Sequence, residues 1–321
     1  MIRYPNNPIV TRRNIPDLEP NLVDVTSVFN PGAIRHEDEI LLLLRVQNRA
    51  RESCLMTARS GDGYRFRVDR AEVSVTGLDR IGHRIFHLYD PRLTRIDASL
   101  YATLAIDTDQ GCRVGLFRTE DCRTLDFISL LADEDCSNGV LFPEKIGRRY
   151  LALLRLDRAR PGSGVVSGSE IRLYQSDDLL FWRSYAKVIE GRRHYWDELI
   201  GPGPPPIKTT EGWLQIYHGI ATNACAVDIY QAGVMLLKLD DPSVVEARSR
   251  FNVLEPREPY ELTGQVPNVV FPTGVVVESS DAGGCAHADS RVWVYYGAAD
   301  SSVCLAETSI ARLLDACFQG G

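Results

Sequence analysis

Residues 40–45 read Ile-Leu-Leu-Leu-Leu-Arg, a short apolar run that stops on a charge. The design returns as YATLAID at 101–107, YLALLR at 150–155, WLQIYH at 213–218 and VWVYYG at 292–297, the last followed by Ala-Ala-Asp300. Gly, Pro, Asn and Asp break the chain between these runs, which therefore read as β-strands. Their starts lie roughly 50 to 80 residues apart, the period range of propeller blades. A second element follows the first three, as ARSGDGYRF at 58–66, FRTEDCRTLDF at 117–127 and YQSDDLLFW at 174–182. Each is a strand leading into a Ser/Thr-x-Asp turn and then an aromatic that can cap a blade. The fourth repeat keeps a weaker trace, YQAGVMLLKLDDP at 230–242.

The expected fold is all-β, a five-bladed β-propeller with its active site at the central axis. An all-β sandwich or barrel with coincidental spacing is the alternative. Inner strands of a propeller converge on the axis, so the polar residues ending the apolar runs can share one pocket. Arg45, Asp90 or Asp107, Arg155, His218 and Asp300 are the candidates. Carboxylates opposed to guanidinium and imidazole groups suit an anionic or polyhydroxylated ligand. One short helix is expected at the end, over SIARLLDACF at 309–318. Residues 160–169 read as a loop, and 1–321 as one catalytic domain.

Composition narrows the function classes. The chain has 321 residues, 44% of them apolar and 25% charged, with a net charge of -7. No basic block or stripe marks a nucleic-acid partner. The longest apolar run is far too short to span a bilayer. The N-terminus, MIRYPNNPIVTRRNIPDLEP, lacks the apolar core of a secretory signal, so the expected location is cytoplasmic. Eight cysteines form no CxxC pair and no HExxH occurs, so no metal and no organic cofactor are expected.

Several segments are more specific than generic strand sequence. They are SVFNPGAI (27–34) with LLLLRVQNR (41–49), YDPRLTRID (89–97), VLFPEKI (140–146), GPPPIKTTEGWLQIYHG (203–219), GQVPNVVFPTG (264–274) and YYGAAD (295–300). Together they resemble glycoside hydrolase family 130, the β-mannoside phosphorylases and related β-mannosidases. The resemblance runs from Asn7-Pro8 to Asp300 and implies a five-bladed propeller, in agreement with the repeat count.

The resemblance implies roles for particular residues. Asp90, in Tyr-Asp-Pro-Arg, falls where the family places its catalytic acid. Pro91 fixes the backbone beside it and Arg92 is near enough to tune it; an Asx-Pro turn at a strand start is the plain structural reading. The family usually carries Glu at the position of Tyr89. Asn30, Arg45 and Asp300 resemble the residues that grip the mannosyl ring, whose hydroxyls both donate and accept. Otherwise Asn30 is a turn residue before Pro31 and Arg45 a charge closing a strand.

Arg155, His218 and Tyr230 match phosphate-binding positions. Ser137 stands where many phosphorylases have a basic residue, and Leu199 where a Lys is common. Ser137 and Asn138 remain weaker donors to phosphate. A hydrolase would instead need a carboxylate to activate water, for which Glu144, Glu198 and Asp228 are candidates.

The function this resemblance implies is inverting phosphorolysis of β-1,2- or β-1,4-linked mannobiose or short mannooligosaccharides to α-mannose 1-phosphate. Inorganic phosphate is the co-substrate. An inverting β-mannosidase is the first alternative and a non-catalytic glycan-binding propeller the second. The expected partners are a small oligosaccharide and phosphate, with neither nucleic acid nor membrane, and the family's habit of self-association makes a homo-oligomer an expectation too.

Overall fold

A computed structural model of the chain describes residues 1–156, 169–222 and 228–319. Most of the expected 160–169 loop, and Cys225, lie outside them. The strands form five antiparallel-based sheets in chain order around one axis, the five-bladed propeller expected from the repeats. The first blade runs Ser27–His36, Glu39–Gln47, Ser53–Ser60 and Arg67–Glu72. The second runs Ile85–Ile96, Ser99–Thr108, Gly111–Thr119 and Thr124–Leu130, with Ser74–Thr76 added in parallel on its rim. Cys136–Leu141, Tyr150–Leu156, Glu170–Ser176 and Arg183–Glu190 make the third. In the fourth, Leu199–Pro202 and Ile207–Lys208 both pair with Trp213–Ala221, followed by Ile229–Leu237 and Val245–Arg248. The fifth is Val270–Val277, Arg291–Ala298 and Ser302–Ser309.

The N-terminal strand Ile2–Arg3 completes the fifth blade by pairing with Ser302–Ser309. Blade five thus pairs the first strand of the chain with the last, and the ring is locked by residues about three hundred positions apart in sequence. Arg3 fastens this closure. Its Nε and Nη2 each donate to the Glu261 carboxylate at 2.8 Å, and Glu261 also accepts from Tyr296 Oη and from the N–H groups of Arg257 and Glu258.

One expectation is corrected here. The five apolar runs are the second strands of the blades, not the innermost. Buried on both faces between neighbouring strands and adjacent blades, they read as near-continuous apolar segments. The strands that line the axis precede them: Ser27–His36, Ile85–Ile96, Cys136–Leu141, Leu199–Pro202 and Val270–Val277. These pack against one another closely. A side chain at Gly274 would meet the Pro31 carbonyl at 2.8 Å, and Thr273 Oγ1 donates to that carbonyl at 2.9 Å.

The Ser/Thr-x-Asp turns form as expected. Ser60 Oγ accepts from Gly63 N–H at 2.9 Å, Ser176 Oγ accepts from Leu179 N–H at 2.9 Å, and Thr119 Oγ1 accepts from Cys122 N–H at 3.0 Å. Gly63, Cys122 and Leu179 all hold positive φ, so one turn geometry recurs in three blades. The C-terminal helix is Ile310–Phe318, and the Ser309 side chain caps it by accepting from Arg312 N–H. The seven described cysteines are free thiols.

Candidate active site

Four innermost strands break register where their residues meet one cavity. The breaks fall between Phe29 and Gly32, Tyr89 and Arg92, Ser137 and Val140, and Pro272 and Gly274. A bulge bends the strand and re-aims a side chain. In the first three, the bulged residue is Asn30, Asp90 or Asn138, with φ of 47°, 53° and 52°. Asn and Asp are the side chains that best tolerate this region. The residue type therefore satisfies the backbone and the chemistry together. Asp300 arrives differently. It occupies the turn after the second strand of blade five, at φ 49°, closed by Ser301 N–H to Ala298 O at 3.0 Å.

These side chains face a cavity of about 210 Å³ on the axis. Asn30, Arg45, Asp90 and Asp300 line it from blades one, two and five. Ser137, Asn138, Arg155 and Tyr230 line it from blades three and four. Tyr89, Val266, Val269 and Phe271 supply the rest of the wall. Of the residues expected to act as the acid or to hold sugar or phosphate, only His218 is missing from the lining. It is 0% exposed, packed 4.6 Å from the Phe271 ring, and its Nε2 lies 3.5 Å from Arg155 Nη1. Burial, then the nearby Arg155 and Arg92 cations, holds its imidazole well below the usual range. His218 is therefore a neutral neighbour behind Arg155. Gly201 makes this packing possible, because a Cβ there would collide with the imidazole.

Asp90 is held from two sides. Asn30 Nδ2 and Arg45 Nη1 both donate to its Oδ1, each at 2.9 Å. Gly297 leaves room for Asn30, whose Oδ1 would clash with any side chain there. Asn30 Oδ1 itself is buried and has no hydrogen-bond partner among the described residues. Asp300 shares this side of the cavity. Burial and then the Asp90 charge raise its carboxyl to about 7, against the opposite pull of Arg45. Burial outweighs the arginine because Arg45 spends its near hydrogen bond on Asp90.

Beneath the cavity Arg92 ties four blades together. It donates to the Asp90 carbonyl, to Asn138 Oδ1 at 2.9 Å and to Gly203 O at 3.4 Å, and its guanidinium lies 5.6 Å from the Phe271 ring centroid. At 1% exposure it is a buried cation, and burial lowers its pKa to about 10. Asn138 Nδ2 passes the link on to Ser137 Oγ at 3.2 Å.

The candidate water-activating carboxylates do not reach this cavity. Glu144 pairs with Lys208 at 2.8 Å, Glu198 is buried and accepts from Thr222 Oγ1 at 2.9 Å, and Asp228 is exposed. Asp107 accepts from Tyr89 Oη at 2.8 Å and lies outside the lining. Among the described lining residues the carboxylates are Asp90 and Asp300 alone. No group of three or more metal-ligating side chains gathers among the described residues, and no helix there is long and apolar enough to cross a membrane.

A propeller whose axial cavity pairs fixed carboxylates and amides with guanidinium and hydroxyl groups is a carbohydrate-active enzyme in design. Comparison with known proteins carries this further. The family model for beta-1,4-mannooligosaccharide phosphorylase, glycoside hydrolase family 130, matches residues 2–319. The chain is 30% identical over 324 residues to a beta-1,4-mannooligosaccharide phosphorylase of Ruminococcus albus, covering 98% of this chain and 89% of that protein. It is 31% identical over 289 residues to a 1,2-beta-oligomannan phosphorylase of a Thermoanaerobacter species, covering 86% of this chain and 88% of that protein. The beta-1,2-mannobiose phosphorylase of Listeria innocua, solved with beta-1,2-mannobiose, superposes with a TM-score of 0.82 at 25% identity over 98% of both chains. The chain belongs to glycoside hydrolase family 130.

Proposed function

We propose that the protein is an inverting β-mannoside phosphorylase that releases α-mannose 1-phosphate from β-1,2- or β-1,4-linked mannobiose or short mannooligosaccharides. The observation that carries this reading is the division of the cavity. Asp90 and the groups that hold it enter from one arc of blades, and Arg155, Tyr230, Ser137 and Asn138 enter from the other. Phosphate bound on the second arc is placed to attack the anomeric carbon while Asp90 supplies a proton toward the leaving oxygen. The phosphate is already ionised, so no general base is required. A hydrolase would need one, and Glu144, Glu198 and Asp228 are engaged or exposed elsewhere.

Asn30 Oδ1 and the Asp300 carboxyl are the acceptors for mannosyl hydroxyls in this reading. Arg155, backed by His218, and the hydroxyls of Tyr230 and Ser137 hold the phosphate. Charge-assisted contacts from Arg155 are the strongest of these. Free thiols at the described cysteines support a reducing, cytoplasmic setting. The test is product analysis on β-1,2- and β-1,4-mannobiose, with and without inorganic phosphate. Phosphate-dependent mannose 1-phosphate is the expected result. Free mannose appearing at one rate in both conditions would overturn it.

A further inference from the structure

Tyr89 stands directly before Asp90, lines the cavity, and is bonded in a way that none of the roles above uses. Its ring and that of Phe29 flank the Arg45 guanidinium, each centroid 4.6 Å from Cζ. At its far end the Tyr89 hydroxyl donates to Asp107 Oδ1 at 2.8 Å, with Cys112 Sγ 3.6 Å away. Burial, followed by the neighbouring Cys112 and Asp107, pushes the phenol up, so it stays a neutral donor. Arg45 meanwhile donates Nε to Ser53 Oγ at 3.2 Å and Nη1 to Asp90 Oδ1 at 2.9 Å.

We infer that Tyr89 is a positioning residue: anchored on Asp107, it clamps Arg45 against Phe29 and thereby fixes the orientation of the Asp90 carboxyl. The physical reason lies in how a guanidinium divides its contacts. Its planar faces take aromatic rings, while its N–H groups leave only along the edge. A ring therefore holds Arg45 without competing for the hydrogen bonds that Asp90 and Ser53 receive. A glutamate at position 89 would claim the edge of the guanidinium and place a second charge beside Asp90. The tyrosine keeps Arg45 committed to the acid.

This inference rests on the assignment of Asp90 as the acid. The test is a double-mutant cycle in the full chain on β-mannobiose and phosphate, with kcat and both KM values measured for Tyr89→Leu, Arg45→Lys and the pair. Losing the clamp is expected to lower kcat by about tenfold with the phosphate KM unchanged. The double variant should fall no further than Arg45→Lys alone. Tyr89→Phe preserves the ring and the packing, so it tests the anchor should Tyr89→Leu unfold; a kcat loss of about threefold is expected, smaller than for removal of the ring. Multiplicative losses in the cycle or a Tyr89→Leu effect confined to the mannoside KM would overturn the clamp, and full activity of Tyr89→Phe would overturn the Asp107 anchor. Asp90→Asn in the same series separates the two claims. An inactive Asp90→Asn with multiplicative losses defeats the clamp alone, whereas an active Asp90→Asn defeats the reading on which it rests.

Discussion

Asn30 donates its side-chain amide to Asp90 Oδ1 across the boundary between blades one and two, at 2.9 Å, and both residues hold positive φ on equivalent strand bulges. Strain of this kind costs about 1–3 kcal/mol per residue and persists only where the surroundings over-determine it. Here the surroundings are the Pro31 and Pro91 rings, the closely packed axis and the Arg92 bridge to the Asp90 carbonyl. The acid is held by the architecture of three strands at once.

Replacing Asp90 by Asn should leave the fold intact, because Asn accepts both the left-handed backbone and the Asn30 contact. Turnover should fall by about 10²–10⁴-fold, the usual contribution of a general acid. Steady-state kinetics beside a thermal melt checks this. A variant with full activity would remove Asp90 from the acid role.

Phosphate should stabilise the protein against heat. At a tenfold excess over Kd the linkage amounts to about 1.4 kcal/mol, readable as a rise in Tm. Arg155→Ala should abolish most of that rise and raise the phosphate KM by about 10–100-fold, since a charge-assisted contact is lost. Asp90→Asn should keep the rise. Differential scanning fluorimetry in phosphate against chloride makes the comparison.

Asp300 makes stability depend on pH. Its folded carboxyl titrates near 7, above the ordinary 3.8, chiefly because it is buried. Between those values the native state binds more protons than the unfolded chain. The contribution of Asp300 therefore declines as pH rises from about 4 to 7 and is level above. Asp300→Asn, compatible with the left-handed turn, should remove this term. The unfolding free energy of the variant relative to the wild type should grow between pH 5 and pH 8, and a constant difference would contradict it.

Ring closure should be sensitive to Glu261. Burial favours its neutral form, but the Arg3 pair and the Arg257 and Glu258 amides win, leaving its carboxyl below the ordinary range. That stability is present above the unfolded value of 4.5 and is lost as pH falls through the lower folded value. Glu261→Ala strands a partly buried Arg3 and should cost about 3–5 kcal/mol. Urea denaturation at pH 7 measures it.

The blade count was legible from the apolar runs because a strand buried on both faces shows itself in hydrophobicity alone. Their rank within the blade was not. The strands at the axis carry polar bulges such as Asn30-Pro31-Gly32 and Asp90-Pro91-Arg92, which by pattern look like turns. His218 ends an apolar run in the same way as Arg45 and Arg155, yet it is packed behind Phe271 and does not line the cavity. The neighbours decide that: Gly201 opposite His218 leaves room for the imidazole, and Phe271 and Arg155 pack over it, none of which is written in the local spelling.

From its sequence alone this protein was determined to be a five-bladed propeller of glycoside hydrolase family 130 type, with Asp90, Asn30, Arg45 and Asp300 as a candidate sugar-facing set. The physical reason is that repeated apolar strands and residue-specific motifs are local properties of the chain. Only the tertiary structure brought Ile2–Arg3 beside Ser302–Ser309, set Arg92 under the cavity floor and stacked Tyr89 on Arg45. Those contacts join residues far apart in the chain, and their geometry exists only once the ring has closed.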